Sequence, residues 1–168
     1  ENTKLAVTLN PDGTLVAASD SLNVQIWDVE TGSPKLTLKG YCEDETKTTQ
    51  RECERADKEW LGHEEEVTAL AFSPDGEILA SGSADTTIVF WEVESGQVKW
   101  PSMGHWAEVA KMVFHPDGGE MLSGGKDNKI RAWRLPGGKS TAYYEGHLST
   151  VNGVAFGWDE GTILTPGK

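Results

Sequence analysis

Histidine, serine and aspartate recur twice in one register. His63, Ser81 and Asp85 are repeated 42 residues on by His105, Ser123 and Asp127, and each set ends six residues later at a tryptophan, Trp91 or Trp133. These are the residue types of a nucleophilic hydrolase, in which an imidazole takes the serine proton and a carboxylate orients the imidazole. The duplication argues against that chemistry. A catalytic triad occurs once and needs an exposed nucleophile beside an oxyanion hole. A set repeated in adjacent units and closed by a tryptophan acts as a fastening, so the chain reads as a non-enzyme. Labelling by a serine-hydrolase probe that depends on Ser81 or Ser123 would overturn this.

The other reactive residues are Cys42 and Cys53. Neither has a CxxC partner or a histidine at zinc spacing, so no metal site is expected. Two readings stay open: free thiols in a reducing, cytoplasmic setting, or a disulfide closing a short loop in a periplasmic or extracellular one. No Gly-rich phosphate loop and no CxxCH haem motif occurs, so no cofactor is expected.

The 168 residues suit one domain, and 37% are hydrophobic, enough for a packed core. No apolar run approaches the roughly 18 residues that cross a bilayer. The net charge of −12 disfavours nucleic acid and anionic membrane as direct partners, because both need a basic surface. Acidity alone names no partner.

The elements that would position these residues repeat too. Gly62-His63, Gly104-His105 and Gly146-His147 are each 42 residues apart, and Pro74-Asp75-Gly76 and Pro116-Asp117-Gly118 keep that spacing. A period of about 40–45 residues with such markers means blades of a β-propeller. Each repeat reads as four short antiparallel strands. In the second, Val67 to Phe72 alternates and Pro-Asp-Gly turns the chain, with Gly accepting a positive φ. Ile78 to Ser81, Thr87 to Val93 and Gln97 to Trp100 follow. The expected boundaries are blade 1 at about 4–39, an insertion at about 40–61, blade 2 at about 62–100, blade 3 at about 104–144 and a half blade at 146–168, beginning with a strand from Val151 to Phe156. Three and a half blades make an all-β, partial propeller, since closed rings have about 4–8. Uncovered blade edges invite association. Completion by further blades or by another chain is therefore expected.

The insertion breaks the period. Trp91 to Gly104 and Trp133 to Gly146 are 13 residues, whereas Trp27 to Gly62 is 35. Thr49-Gln50-Arg51-Glu52 has the form of a capping box. Cys53, Ala56 and Trp60 fall on one helical face, and Glu54 with Lys58 and Arg55 with Glu59 are i,i+4 pairs. A short amphipathic helix lying on the propeller is expected. Residues 43 to 66 hold ten carboxylates and four basic groups, which suits either a docking element or a tolerated surface loop.

These markers resemble the WD-repeat family of β-propellers over nearly the whole chain outside the insertion. The resemblance implies a buried tetrad in each blade: His63, Ser81, Asp85 and Trp91 in the second repeat, and His105, Ser123, Asp127 and Trp133 in the third. The physical reason is mutual satisfaction, because each buried polar group left unpaired costs about 1–3 kcal/mol. The end repeats depart from the pattern. The first has Ala17 and Ser21 at the registers of Ser81 and Asp85, and the fourth is read with Pro166 at that of Ser81. Atypical terminal repeats are common, which points to Glu1 lying near one end of the propeller. At the tryptophan that closes the third strand, the Trp-Asp dipeptide is intact only in Trp27-Asp28, with Trp91-Glu92 and Trp133-Arg134 in the next two repeats.

The resemblance also implies a protein or peptide partner on the face carrying the Gly-His loops. Those loops present Glu64, Glu65 and Glu66, Trp106, Leu148, and the turn residues Ala84 and Lys126. Trp106 is the favoured anchor, since exposed tryptophan is enriched at interaction hot spots, although it also suits packing over a neighbouring blade. Glu64 to Glu66 suit a basic peptide or a solvated charge run. Trp60, Trp100 and Trp158 are expected to pack on the helix face, the outer strand and a blade turn, and His115 to be an exposed turn residue. The expected function is a non-catalytic interaction scaffold. The alternatives are an assembly subunit joined through its open ends and insertion, and a recruiting domain of a larger enzyme.

Overall fold

The alternation of apolar residues and the Pro-Asp-Gly turns produce strands that stack blade on blade. The structure is a computed structural model that describes residues 5–42, 46, 50–56, 60–102, 104–157 and 162–166. Blade 1 comprises β1 (Val7–Leu9), β2 (Leu15–Asp20), β3 (Asn23–Asp28) and β4 (Pro34–Leu38), antiparallel in chain order. The insertion follows as β5 (Tyr41–Cys42), α1 (Gln50–Arg55) and β6 (Trp60–Leu61). Blade 2 holds β7 (Val67–Phe72), β8 (Ile78–Ser83), β9 (Ile88–Glu92) and β10 (Val98–Ser102). Blade 3 holds β11 (Val109–Phe114), β12 (Glu120–Gly125), β13 (Ile130–Arg134) and β14 (Lys139–Tyr144). A final pair, β15 (Ala155–Phe156) and β16 (Ile163–Leu164), belongs to a fourth blade. The fold is all-β and its propeller is partial.

Each interface between blades is a separate apolar layer, because successive side chains on a strand point to opposite faces. Leu15, Ala17, Val24, Ile26 and Leu38 of blade 1 meet Leu70, Phe72, Leu79 and Trp91 of blade 2. Ala69, Ala80, Ile88 and Phe90 of blade 2 meet Val109, Met112, Met121 and Trp133 of blade 3. Leu122, Ile130 and Ala132 then meet Val151 and Val154. Backbone bonds join the blades as well: the His105 amide donates to the Thr86 carbonyl at 2.7 Å. Gly104 allows this approach, since a Cβ there would stand 2.0 Å from the Thr86 oxygen.

The turns behave as their residues dictate. Gly13, Gly76 and Gly118 of the three Pro-Asp-Gly turns have φ of 73, 75 and 77°. Such values favour glycine, which has no Cβ to clash.

Several expectations need correcting. The first strand of the fourth blade is Ala155–Phe156 rather than Val151 to Phe156. Trp60 is not on the helix. It lies in β6 opposite Cys42, because the helix ends at Arg55 and the chain turns back to pair with β5. Cys42 and Cys53 are bonded to each other across 5.6 Å between Cα atoms, and both are buried. The disulfide thus ties helix α1 to the small β5–β6 ribbon. Along α1 the Gln50 side-chain Nε2 donates to the Glu54 carboxylate at 2.9 Å. The capping Thr49, Lys58, Glu59 and Trp158 lie outside the described residues.

Candidate functional site

In blade 2, Trp91 Nε1 donates to Ser81 Oγ at 2.7 Å, and Ser81 Oγ lies 2.7 Å from His63 Nε2. His63 Nδ1 faces Asp85 Oδ2 at 3.1 Å. Blade 3 repeats the chain through Trp133, Ser123, His105 and Asp127, with separations of 2.8, 2.7 and 2.8 Å. A neutral imidazole satisfies every member. Its Nδ1 proton goes to the carboxylate, the serine proton goes to Nε2, and the serine oxygen accepts from the indole.

The carboxylates do more than hold the imidazoles. Asp85 Oδ2 also accepts from the Glu64 amide at 2.8 Å, and Asp127 Oδ2 from the Trp106 amide at 3.0 Å. Each aspartate therefore clamps the loop that follows its own Gly-His pair. Burial would raise the Asp85 carboxyl, but bonds from His63, Thr87 and the Glu64 amide outweigh it and hold it well below the usual range. Asp127 is lowered for the same reason, its burial being outweighed by the Trp106 amide and His105. Burial depresses His105, against the pull of Asp127, and so favours the neutral ring.

Order of contact alone would match a hydrolase triad. Access does not. Ser81 and Ser123 are 0% exposed, and each oxygen already receives a tryptophan N–H. Neither hydroxyl is presented to solvent as a triad nucleophile must be.

The end blades differ. Histidine His147 bonds through Nε2 to Thr165 Oγ1 at 2.8 Å. The 42-residue register places Thr165, not Pro166, at the position of Ser81 and Ser123, so the fourth repeat keeps the His–hydroxyl half of the set. In blade 1 the strand pairing moves the counterpart of Ser81 from Ala17 to Ala18. Leu79 and Val16 both face their tryptophans, and two residues later Ser81 faces Val89 while Ala18 faces Gln25. The one-residue deletion therefore lies in the β2–β3 turn. Alanine supplies no hydroxyl to Trp27.

Around the rim, Trp106 is 75% exposed and Leu148 98%. Trp106 stands largely in solvent. Its ring has Lys129 Nζ at 4.3 Å and the Arg131 guanidinium at 5.3 Å, both from its own blade. Lys129 also lies 5.0 Å from the Tyr143 ring and pairs with Glu145. Blade 2 has Thr87 at the register of Lys129, and its hydroxyl stays inside, donating to Asp85 Oδ1 at 2.6 Å. Glu64 and Glu65 are exposed and Glu66 is half-buried. The amides of Ala84 and Lys126 donate to the carbonyls of Glu66 and Glu108, both at 2.9 Å, so these turn residues hold the Gly-His loops in place. The Lys126 ammonium pairs with Glu108.

Sequence reasoning missed the platform under Trp106. Lys129 immediately precedes β13 and Arg131 lies within it two residues on, and Tyr143 of β14 pairs with Arg131; pairing register was the signal that would have found them. His115 is another miss. It meets Phe156 of the fourth blade edge to face at 4.7 Å, as an inter-blade contact rather than a free turn residue. Trp100 packs against Phe90 at 6.0 Å on the outer strand.

Residues 55–92 and 98–134 match the WD domain, G-beta repeat profile. The central repeats of the chain are WD repeats. Among relatives of this WD-repeat chain, Protein HIR1 of Candida albicans is 35% identical over 104 residues, 55% of this chain and 12% of that protein. A periodic tryptophan protein 2 homolog of Schizosaccharomyces pombe is 31% identical over 91 residues, 53% of this chain and 8% of that one. A chain in the crystal structure of the mitotic checkpoint complex superposes with a TM-score of 0.77 at 23% identity, over 96% of this chain and 43% of that one. The structure of U3-55K superposes at 0.72 and 22%, over 90% and 42%. At such identity the solved structures speak to fold alone. The chain spans under half the length of these solved chains and about a tenth of these two curated relatives.

Proposed function

We propose that this chain is a non-catalytic WD-repeat scaffold that holds a protein or peptide partner on its Gly-His face, with Trp106 as the anchor. The observation that carries the reading is an exposed tryptophan whose backbone is clamped by Asp127 and whose ring is seated on Lys129 and Arg131. A large side chain held in place before binding loses little freedom on contact. Glu64, Glu65, Glu66 and Leu148 flank it on neighbouring loops, and residues 1–168 act as one propeller segment. The test is capture from the source extract by the protein and by Trp106→Ala, compared quantitatively. We expect a partner retained by the first and lost by the second, with unchanged melting. Equal capture by both would refute the anchor.

A second reading is favoured by the open side of blade 1. Val7 and Leu9 are 57% and 58% exposed, whereas the same register in blade 2, Leu70 and Phe72, is buried against blade 1. Such a face is covered by another blade, supplied by the same polypeptide or by another chain. Val7→Lys with Leu9→Lys should then abolish any concentration-dependent mass increase in sedimentation while blades 2 and 3 keep their signal.

A further inference from the structure

The residues that follow the three Gly-His pairs share one position but differ in kind. Glu64, Trp106 and Leu148 stand 42 residues apart, and all three side chains are exposed. Two of them leave backbones pinned to buried aspartates, at 2.8 Å for the Glu64 amide and 3.0 Å for that of Trp106. From blade to blade the rim thus presents a fixed carboxylate, then an indole, then an isobutyl group.

The indole is selective in its own right. Two cations already lie against its ring, Lys129 at 4.3 Å and Arg131 at 5.3 Å. A third cation would have to displace one of these from the ring, where Glu145 and Asp127 also hold them by ion pairs. An aliphatic or aromatic side chain meets no such cost and gains from burial. Leu148, one blade on, offers a second apolar contact. In the other direction the charge changes sign: from residue 62 to residue 98 there is no lysine or arginine, and Glu64 and Glu65 stand exposed on the rim. Complementary charge there means a basic partner.

We propose that the Gly-His face takes an extended peptide segment polarised along its length, with two apolar side chains on Trp106 and Leu148 and basic residues over Glu64 and Glu65. This rests on the docking-face reading above and adds the partner's chemistry and direction, basic over blade 2 and apolar over blades 3 and 4.

The probe is a displayed library of random dodecapeptides, selected on the immobilised chain, with every sequence also retained by Trp106→Ser discarded. Retained peptides are expected to carry Arg or Lys toward one end and Leu, Ile, Phe or Trp toward the other. The best of them, made synthetically, should lose about tenfold or more in affinity for the Glu64→Lys, Glu65→Lys double variant, where attraction becomes repulsion. Its affinity should fall severalfold with Leu148→Ser. All these side chains are exposed, and circular dichroism of each variant should match the parent. Trp106-dependent peptides that are acidic or without charge bias, or an affinity unmoved by the double lysine variant, would overturn the polarity while leaving the docking face. An absence of any Trp106-dependent peptide would overturn both.

Discussion

Blades 1 and 3 have the same four strands in the same order, yet only blade 3 carries the full chain from tryptophan to aspartate. Blade 1 has Ala18 where blade 3 has Ser123, and it forms its sheet regardless. The comparison separates two jobs. Alternating apolar strands and Pro-Asp-Gly turns build the sheet. The tetrad fastens a Gly-His loop to that sheet and, through the aspartate, fixes where the loop's next residue emerges. The fully fastened blades 2 and 3 are thus the ones whose rim residues, Glu64 and Trp106, leave clamped backbones.

The largest expected effect is on the fastening itself. Ser123→Ala leaves the Trp133 N–H and a His105 nitrogen unpaired in a buried site, and the two groups together should cost about 2–4 kcal/mol in urea unfolding. Introducing the hydroxyl into blade 1 with Ala18→Ser should change stability by about 0.5 kcal/mol or less. Equal effects in the two blades would erase the distinction.

Acid should act on the fastened blades next. His105 is depressed below its ordinary value of 6.5, so the unfolded ring takes a proton that the folded ring resists, and stability begins to fall as pH drops through 6.5. Asp85 and Asp127 are depressed below 3.8. Their contribution is complete above that value and is lost as pH falls further toward their folded values. A pH series of denaturation midpoints should show a shallow decline and then a steep one, with Asp127→Asn flattening the steep limb. A midpoint flat from pH 7 to below 3.8 would contradict this.

The smallest expected effect belongs to the fourth blade. Thr165→Val removes one hydroxyl that meets His147 in a partly exposed site, so a loss of about 0.5–1.5 kcal/mol is expected. A loss as large as that of Ser123→Ala would mean that His147 is fastened as firmly as His105.

Much of this was legible in the residues. The 42-residue register predicted the blades and the Pro-Asp-Gly turns, because both depend on local residue type at fixed spacing, while the members of the two central tetrads were named from the family resemblance. Other features depend on how strands pair. The place of the deletion in blade 1 shifted the alanine from Ala17 to Ala18, and only strand register reveals it. The stack of Lys129 and Arg131 on Trp106 joins a loop to a strand more than twenty residues away. Trp60 read as a helical residue because i, i+3 and i+7 spacing holds whether or not the helix lasts that long. Residues 50–55 end it, and the disulfide to Cys42 brings the chain back into a ribbon.

The central claim is that hydrogen-bonded tetrads fasten the middle blades and are missing from the first. Hydrogen exchange of the indole N–H protons, followed by NMR, reads it directly. Trp91 and Trp133 are buried and donate to serine, so their indole protons should exchange only through global unfolding and respond fully to urea. Trp27 pairs with Val16 in a blade that has Ala18 where the fastened blades have serine, so its indole proton should exchange much faster, through local opening. Similar slow rates at all three indoles, or fast exchange at Trp91 and Trp133, would contradict the account.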